Sequence, residues 1–282
     1  MGKLNYLNVG CGKKFHVDWV NVDMVSYSPH VVSANLIKGI PFPDNHFDVV
    51  YHSQVLEHIP KDNAPNFIKE CYRVLKNDGI LRVVVPDLEN IVDEYKLWLD
   101  KCIENHTDLT EANYDWIMLE LYDQTVRNQA GGEMAKYLEN PSIINQKYVL
   151  DRTGFVGYSA REKTELPTST KDKFQKSFSS ITMFLRALKY IKNKLVEKLG
   201  LQTYTSKIGM FRLGGEVHMW MYDRYSLARL LKNCGFNEVS KMTPFKSDIP
   251  NWCDYELDVK EGMVYDPTSL FMEAKKTILK KS

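Results

Sequence analysis

The feature that most constrains this fold is a series of short apolar runs in the first ninety residues, interrupted by one helical segment. Short apolar runs predict strands that are buried on both faces. The helical pattern covers Asn63 to Lys76, and Asn77 to Gly79 follows it as a stop signal. Because it separates the last two runs, we expect a crossover between neighbouring parallel strands in an α/β fold. The runs are Tyr6 to Val9, Trp19 to Val22, Val31 to Val32, Phe47 to Tyr51 and Ile80 to Val85.

The C-terminal part of the chain repeats this kind of unit. Ser226 to Gly235 predicts a short helix, Glu238 to Phe245 predicts a strand, and Ser269 to Lys275 predicts another. Between the two parts, residues 88–222 have mostly helical periodicity. We therefore expect a core formed by residues 1–87 and 223–282, with a large, mainly helical insertion at 88–222.

Composition excludes several classes of protein. With 37 Lys and Arg against 36 Asp and Glu, the formal net charge is +1, which does not favour binding to duplex nucleic acid by charge alone. The five cysteines are scattered and lack any C-x-x-C spacing, so we expect neither a disulfide framework nor a zinc knuckle, and a reducing, cytoplasmic setting. No apolar run approaches the ~20 residues of a membrane-spanning helix.

The first predicted strand runs into a G-x-G turn, and an acidic residue closes the second strand. Gly10 and Gly12 would let the backbone approach a ligand, and Asp23 could accept hydrogen bonds from ribose hydroxyls. The alternative is that the glycines only turn the chain. Phe15 occupies the third glycine position of a dinucleotide motif, and the stretch from Gly12 to Trp19 is too short for a helix. A pyrophosphate would need that helix, so the pattern favours an adenosine cofactor without one, S-adenosylmethionine (SAM).

Four segments in the order LNVGCG, VNVD, LIKGIPFPDNHFDVVYHSQVLEHI and FIKECYRVLKNDGILRVVVPD span residues 5–87. Together they resemble the class I SAM-dependent methyltransferases, particularly the methyltransferase type 11 group. The resemblance implies a Rossmann-like sheet with helices on both faces, SAM as cofactor and S-adenosylhomocysteine as product. One departure is Asn35, which stands where the family usually has an acid. The implied cofactor-binding residues are Gly10, Cys11, Gly12, Asp23, Met24, Asn35, Leu36, His52 and Ser53.

Residues that could perform chemistry follow the strand Phe47 to Tyr51. His58 matches the place where sugar and small-molecule O-methyltransferases of this class often carry a catalytic histidine, and we predict that it is the general base. Asp87 could orient that imidazole or bind the acceptor, or it could only cap a helix. His52, Glu57 and His58 could suggest a metal ion. The chain lacks the Asp-Asp pair of metal-dependent O-methyltransferases, so we expect no metal.

The insertion contributes the predicted acceptor-binding residues. A polar stripe with an aromatic residue on one helix suits sugar hydroxyls, although a solvated helix face is an equal alternative. The resemblance further suggests a sugar or sugar-derived acceptor of bacterial surface-polysaccharide biosynthesis, either nucleotide-linked or phosphorylated. The candidates are Trp116, Asp123, Gln124, Arg127, Glu216, His218 and Tyr222.

Residues 171–198 form a basic amphipathic segment. Its open interpretations are peripheral membrane contact, anionic substrate binding, or a lid or homodimer helix, of which we favour the last. For the whole chain, the rivals are a non-catalytic SAM-binding scaffold subunit, a methyltransferase acting on nucleic acid or another metabolite, and a dehydrogenase. The missing third glycine argues against a dehydrogenase.

Overall fold

The computed structural model describes residues 4–165 and 204–277, and within them a seven-stranded mixed sheet forms the centre. The order is β3-β2-β1-β4-β5-β9-β6, with β1 to β5 parallel and β9 antiparallel to both neighbours. The Rossmann-like class I methyltransferase sheet is therefore confirmed. The strands are β1 Tyr6–Val9, β2 Val20–Asp23, β3 Val31–Ser33, β4 Phe47–Ser53, β5 Leu75–Pro86, β6 Asn237–Lys241, β7 Val259–Lys260, β8 Met263–Val264 and β9 Ser269–Lys275; β7 and β8 form a separate hairpin.

The helices of the described residues fall into two groups. Two flank the sheet strands, α1 Ala64–Val74 and α7 Arg224–Asn233, and the rest belong to the insertion: α2 Leu88–Glu104, α3 Asp108–Val126, α4 Gly132–Glu139, α5 Gln146–Glu165 and α6 Tyr204–Arg212. Three short 3-10 turns lie at Leu36–Lys38, Leu56–His58 and Trp252–Tyr255. No helix in 4–165 or 204–277 has the length and apolar character needed to cross a bilayer.

The sheet separates two hydrophobic clusters, since successive strand residues point to opposite faces. On one face, Val50 packs in a cluster with Phe67 of α1 and Leu227 of α7. On the other face, Tyr51 packs in an aromatic cluster with Trp252. That second face is covered by the chain between β6 and β7, which includes the third 3-10 turn.

A buried arginine anchors this covering segment to the sheet. Arg82 on β5 has no exposed side-chain surface and donates to Asp258 (2.8 Å) and Glu273 (2.6 Å). Its guanidinium also donates to the carbonyl of Thr243 (2.8 Å) and lies 4.5 Å from the centre of the Trp252 ring. Each charged side chain in the group is hydrogen-bonded to a partner of opposite charge, which fixes the segment against β5.

The predicted stop after α1 has a different role from the one we expected. The helix ends at Val74, and β5 begins at Leu75, so Asn77 to Gly79 lie inside a strand. The pairing of β4 with β5 shifts register at this place, and Asp78 has φ +61°. The turn residues therefore form an irregularity at the start of β5, which permits the change of direction without a separate loop.

The insertion leaves and rejoins the core at one point. Asp87 and Tyr222 form a parallel bridge, and the amide of Leu88 donates to the carbonyl of Tyr222 (2.9 Å). The described part of 88–222 is mostly helical. The basic segment 171–198 lies outside the described residues. All five cysteines are free of disulfides.

Candidate functional site

The glycine loop lies at the carboxyl end of β1, where it is held by the acid at the end of β2. Asp23 accepts hydrogen bonds from the amides of Gly12 (2.8 Å) and Val25 (3.1 Å). Gly10 has φ +69°, and a Cβ there would approach Val55 to 2.5 Å, so a side chain at this position would be both strained and crowded. The loop therefore needs glycine at this turn, whatever else it binds.

Most of the predicted cofactor-binding residues gather around this loop. Cys11 is buried in the loop, Met24 and Asn35 are exposed after β2 and β3, and Leu36 begins a 3-10 turn. Ser53 ends β4 and accepts a hydrogen bond from Lys14 (3.1 Å). Because β3, β2, β1 and β4 are neighbours, these residues lie along one edge of the sheet, where open α/β sheets bind ligands.

His52 is not among the ligand-facing residues. Its side chain is fully buried, and its ring lies 5.1 Å from the ring of Phe67 on α1. Neither ring nitrogen has a hydrogen-bond partner among the described residues, and burial lowers the pKa of His52 to about 3. The prediction that His52 contacts the cofactor is therefore corrected: strand alternation turns this residue into the core, while Ser53 points to the other face.

Beyond β4, the 3-10 turn brings Glu57 and His58 against the end of the insertion. The Nδ1 atom of His58 lies 3.3 Å from the carbonyl oxygen of Val217, and its ring centre lies 4.8 Å from that of His218. The amide of Met219 donates to the carbonyl of Glu57 (2.7 Å). One potential metal-ligand atom from each of Glu57, His58 and His218 lies within 4.8 Å of the other two. We call these three residues the Glu-His-His cluster.

Burial determines the charge state of this cluster. It raises the pKa of Glu57 to about 8, lowers that of His58, and lowers that of His218 to about 3 with help from the neighbouring His58. Both imidazoles are therefore neutral at physiological pH. A neutral imidazole whose Nδ1 proton is donated to a carbonyl presents an unprotonated Nε2, which can accept a proton or bind a cation.

Asp87 has the helix-capping role that was the alternative to its catalytic one. Its carboxylate accepts from the amide of Glu89 (3.1 Å) and lies 3.3 Å from Nζ of Lys241. The carbonyl of Val217, and not Asp87, orients the ring of His58. The prediction that Asp87 orients the base is therefore corrected, because its oxygens are engaged at the start of α2.

Trp116 is a packing residue between the insertion helices. It has no exposed surface, and its indole N–H donates to Glu120. Glu120 also accepts two hydrogen bonds from Arg152 (2.6 and 2.5 Å), which joins α3 to α5. The prediction of a substrate contact for Trp116 is corrected, because burial removes the ring from any ligand-accessible surface.

Asp123 fixes the start of α4. Its carboxylate accepts from the amide of Glu133 (2.8 Å), and Gly132, with φ +57°, packs so closely that a Cβ would clash with the carboxylate. This contact explains the second glycine of the pair at the junction, Gly132. The predicted substrate role of Asp123 is corrected to a helix-capping role, since both oxygens face the α4 amides.

Arg127 and Glu216 join the end of α3 to the returning chain. Arg127 donates to the carbonyl of Glu216 (2.7 Å), and the carboxylate of Glu216 accepts from the amide of Gly131 (3.0 Å). Tyr222 packs in the core with 3% of its surface exposed, and burial raises its pKa to about 12. Tyr222 is therefore corrected from a substrate contact to a core residue beside the Asp87 bridge.

A cavity of about 800 Å³ lies where the sheet edge, the insertion and the β7–β8 hairpin meet. Of the predicted substrate residues, Gln124 and His218 line it. The sequence analysis missed other lining residues, because nothing in their local pattern distinguishes them from surface charges. They include Arg152 of α5 and, near the hairpin, Asp258, Tyr265 and Asp266.

Lys14 connects the glycine loop to this cavity. Its Nζ donates to Ser53 (3.1 Å) and lies 4.8 Å from the centre of the Tyr265 ring. Burial lowers the pKa of Lys14, and burial raises the pKa of Asp266, another lining residue. The cavity therefore places a cation and a carboxyl group within reach of the predicted cofactor edge.

Comparison with known proteins identifies the N-terminal core. Residues 7–83 match the family model described as a methyltransferase domain. The chain therefore contains a class I SAM-dependent methyltransferase domain, and SAM is the cofactor of that class. The match covers β1 to β5, which hold the glycine loop, Asp23 and the Glu57–His58 turn.

Relatives match part of the chain. A protein of Mycobacterium tuberculosis described as a probable S-adenosylmethionine-dependent methyltransferase is 34% identical over 99 residues, 29% of this chain and 35% of its own. The phosphoethanolamine N-methyltransferase of Plasmodium falciparum is 23% identical over 159 residues, 52% of this chain and 58% of its own. A solved SAM-dependent methyltransferase from Archaeoglobus fulgidus is 12% identical, with 98% of this chain and 87% of that one covered and a TM-score of 0.39. The chain thus spans between about a third and three fifths of these two curated relatives' length.

Proposed function

We propose that this protein transfers the methyl group of SAM to an oxygen atom of a small polar acceptor held in the cavity. The observation that carries the proposal is the position of His218, which lines the cavity and also belongs to the Glu-His-His cluster beside β4. Ser53 lines the same cavity from the cofactor edge. A bound acceptor would thus lie between the methyl donor and an unprotonated imidazole.

The proposed reaction is an in-line displacement. The acceptor oxygen forms a bond to the methyl carbon, the bond from that carbon to sulfur breaks, and the electron pair goes to sulfur to give S-adenosylhomocysteine. The hydroxyl proton goes to Nε2 of His58, which is neutral because burial lowers its pKa. The protein contributes alignment, exclusion of water and proton removal, since the leaving sulfonium is already activated.

The lining of the cavity supports a sugar or sugar-derived acceptor. Gln124 offers hydrogen-bonding groups for hydroxyls, and Tyr265 offers an aromatic face. Lys14 is a cation that could meet a phosphate on a phosphorylated or nucleotide-linked sugar, whereas Arg152 is already paired with Glu120. A role in surface-polysaccharide synthesis would follow if the acceptor that reacts is a sugar used in that synthesis.

One observation favours a second candidate acceptor. Three lysines, Lys13, Lys14 and Lys260, line the cavity in addition to Arg152, which is paired with Glu120. A phosphorylated amine such as phosphoethanolamine, the acceptor named for the Plasmodium relative, would also satisfy them. Nitrogen in place of oxygen would need the same proton removal from its ammonium form.

We further propose a division of labour between the core and the insertion. Residues 1–87 and 223–282 would bind SAM, and 88–222 would cover the acceptor. The bridge between Asp87 and Tyr222 supports this proposal, because both ends of the insertion lie beside the Glu-His-His cluster. The insertion helices also supply Gln124 and Arg152 to the cavity.

The first test measures cofactor binding by calorimetry. We expect heat from SAM and S-adenosylhomocysteine, and Asp23→Ala should weaken both affinities by about 10-fold or more, because hydrogen bonds to a charged group contribute about 1.5–3 kcal/mol. Asp18→Ala, in the exposed loop before β2, is the matched control and should bind like the wild type. Binding of NADH without a response to SAM would reject the proposal.

The second test identifies the acceptor and the base. Nucleotide sugars, sugar phosphates and phosphoethanolamine are incubated with SAM, and mass spectrometry follows the gain of one methyl group. With the acceptor that reacts, His58→Ala should reduce kcat by about 100-fold or more and leave the SAM dissociation constant nearly unchanged. Turnover at the wild-type rate would remove His58 from the mechanism. SAM binding without methylation of any acceptor would favour the scaffold-subunit alternative.

A further inference from the structure

We propose that Glu57, His58 and His218 form a binding site for a divalent transition-metal ion, with Zn²⁺ as the ion that best suits the donor set. Two imidazoles and one carboxylate are the protein ligands of a common class of catalytic zinc site, which leaves one coordination position open. The metal site concerns the same cluster as the proposed function, and its catalytic role rests on that function. The binding of the metal ion does not depend on the proposed methyl transfer.

The geometry is close to that of a bound site. One donor atom from each residue lies within 4.8 Å of the other two. Three atoms at that limiting separation surround a point about 2.8 Å from each, which is about 0.7 Å beyond a Zn–N bond. Small side-chain rotations would therefore close the site, without a change in the backbone that holds it.

The carboxylate of Glu57 is the second observation that points to a cation. Its side chain has no exposed surface, and neither oxygen has a hydrogen-bond partner in the described parts of the chain. Nε2 of His58 lies 4.0 Å from Oε1 of Glu57, which is beyond hydrogen-bond distance. Burying a carboxyl group without a partner is unfavourable, and a metal ion between Glu57 and the two histidines would supply that partner.

Contacts around the cluster orient it as metal ligands are usually oriented. Nδ1 of His58 lies 3.3 Å from the carbonyl of Val217, which accepts its proton and leaves Nε2 for a metal. The backbone amide of His218 donates to the carbonyl of Gln124 (2.9 Å), so α3 fixes this ligand. The backbone carbonyl of Glu57 accepts from Met219 (2.7 Å), which joins the two chain segments that carry the ligands.

The open position of the metal would face the acceptor, because His218 also lines the cavity. A metal-bound hydroxyl loses its proton to solvent at a lower pH than a free one, and the resulting oxygen attacks the methyl carbon while sulfur takes the electron pair. With the metal bound, Nε2 of His58 would be a ligand and no longer the proton acceptor, so the metal would take over activation of the acceptor hydroxyl while His58 and Glu57 hold it. His52 takes no part, since its ring is buried against Phe67.

The test uses the whole 282-residue chain without a histidine tag. The protein is stripped with chelator, dialysed and titrated with ZnCl₂ in a calorimeter, and bound zinc is counted by elemental analysis. We expect one equivalent per chain. His218→Ala and Glu57→Gln should each weaken Zn²⁺ binding by about 100-fold or more, because each removes one of three ligands. His106→Ala is the matched control: this exposed histidine pairs with Glu111 (3.1 Å) and should leave zinc binding unchanged.

SAM binding by each variant is measured in parallel, which separates the two proposals. Retained SAM affinity in His218→Ala shows that the fold persists, so weaker zinc binding in that variant reports the loss of a ligand. A wild-type chain that binds SAM but less than a stoichiometric amount of zinc overturns the metal inference alone. An equal loss of zinc in His106→Ala also overturns it. Zinc binding without any SAM binding would instead reject the proposed function and keep the metal site.

Discussion

Two buried groups of ionisable side chains, the Arg82 group and the Glu-His-His cluster, differ in whether their carboxyl groups have hydrogen-bond partners among the described residues. Arg82 donates to Asp258 and Glu273 and to backbone carbonyls. Glu57 is equally buried, yet neither of its oxygens has a hydrogen-bond partner among the described residues. Both groups lie near the same cavity, since Asp258 and His218 line it. Burial alone therefore does not distinguish a structural charge from a functional one, but the state of its partners does.

We propose that the Arg82 group stabilises the wall of the cavity and that the Glu-His-His cluster, through His218, binds what enters it. Matched buried charges fix geometry, because removal of any partner leaves an uncompensated charge in the core. Unmatched polar groups lower stability and are retained where a ligand satisfies them. The following predictions test this contrast.

The largest expected effect is on stability, from the variant Arg82→Met. It leaves Asp258 and Glu273 buried without their cation, so we expect the free energy of unfolding to fall by about 3–5 kcal/mol. Urea denaturation followed by circular dichroism measures this. Lys96→Met removes an exposed ion pair with Asp100 (3.2 Å) and should change stability by less than about 0.5 kcal/mol. If the two variants lose similar stability, the Arg82 group does not have its assigned role.

A second effect depends on pH and concerns His52. Burial lowers its folded-state pKa from 6.5 to about 3, so the unfolded chain binds a proton first, and stability is lost as pH falls from 6.5 towards 3. Between pH 7.5 and 4.5, this residue should contribute a loss of about 2.7 kcal/mol. His52→Met cannot be protonated and should lose that much less than the wild type in parallel denaturation curves. Equal losses would show that His52 is protonated in the folded state.

The smallest expected effect sharpens the contrast most. Because burial raises the pKa of Glu57 to about 8, the metal-free protein carries it mainly as the neutral acid at pH 7. The glutamine in Glu57→Gln is close to that acid in shape and charge. The free energy of unfolding of the metal-free protein should therefore change by less than about 1 kcal/mol. Thermal denaturation of stripped samples measures this. A loss as large as that of Arg82→Met would show that Glu57 has a structural partner after all.

The sheet and the position of the glycine loop were predictable from the sequence, because they depend on local patterns. The strand Ser269–Lys275 was predicted with its observed bounds, and the glycine loop with Asp23 lies where the strand order requires. The helix after β4 was predicted to begin one residue too early and to end two residues too late, the latter because the turn residues that suggested a stop lie within β5.

The acceptor side was less predictable, because it depends on contacts between distant segments. Helical spacing placed Trp116 and Asp123 on a polar stripe but did not show that Trp116 is buried beside Tyr137 and that Asp123 faces the start of α4. His218 was singled out for substrate binding, although its position 160 residues after His58 concealed the shared cluster. Arg152 and Asp258 were missed because charged residues at such positions are common on surfaces.

The bridge between Asp87 and Tyr222 has a consequence for how such a chain can change over time. An insertion whose two ends are adjacent in the backbone can gain, lose or exchange helices without changing the pairing register of the sheet strands. If the insertion covers the acceptor as proposed, acceptor preference could change in evolution by replacement of the insertion, while the core proposed to bind SAM stays unchanged. His218 is the exception, because it lies within the insertion. If the proposed Glu-His-His site is required for activity, a replacement insertion must supply another ligand residue beside Glu57 and His58.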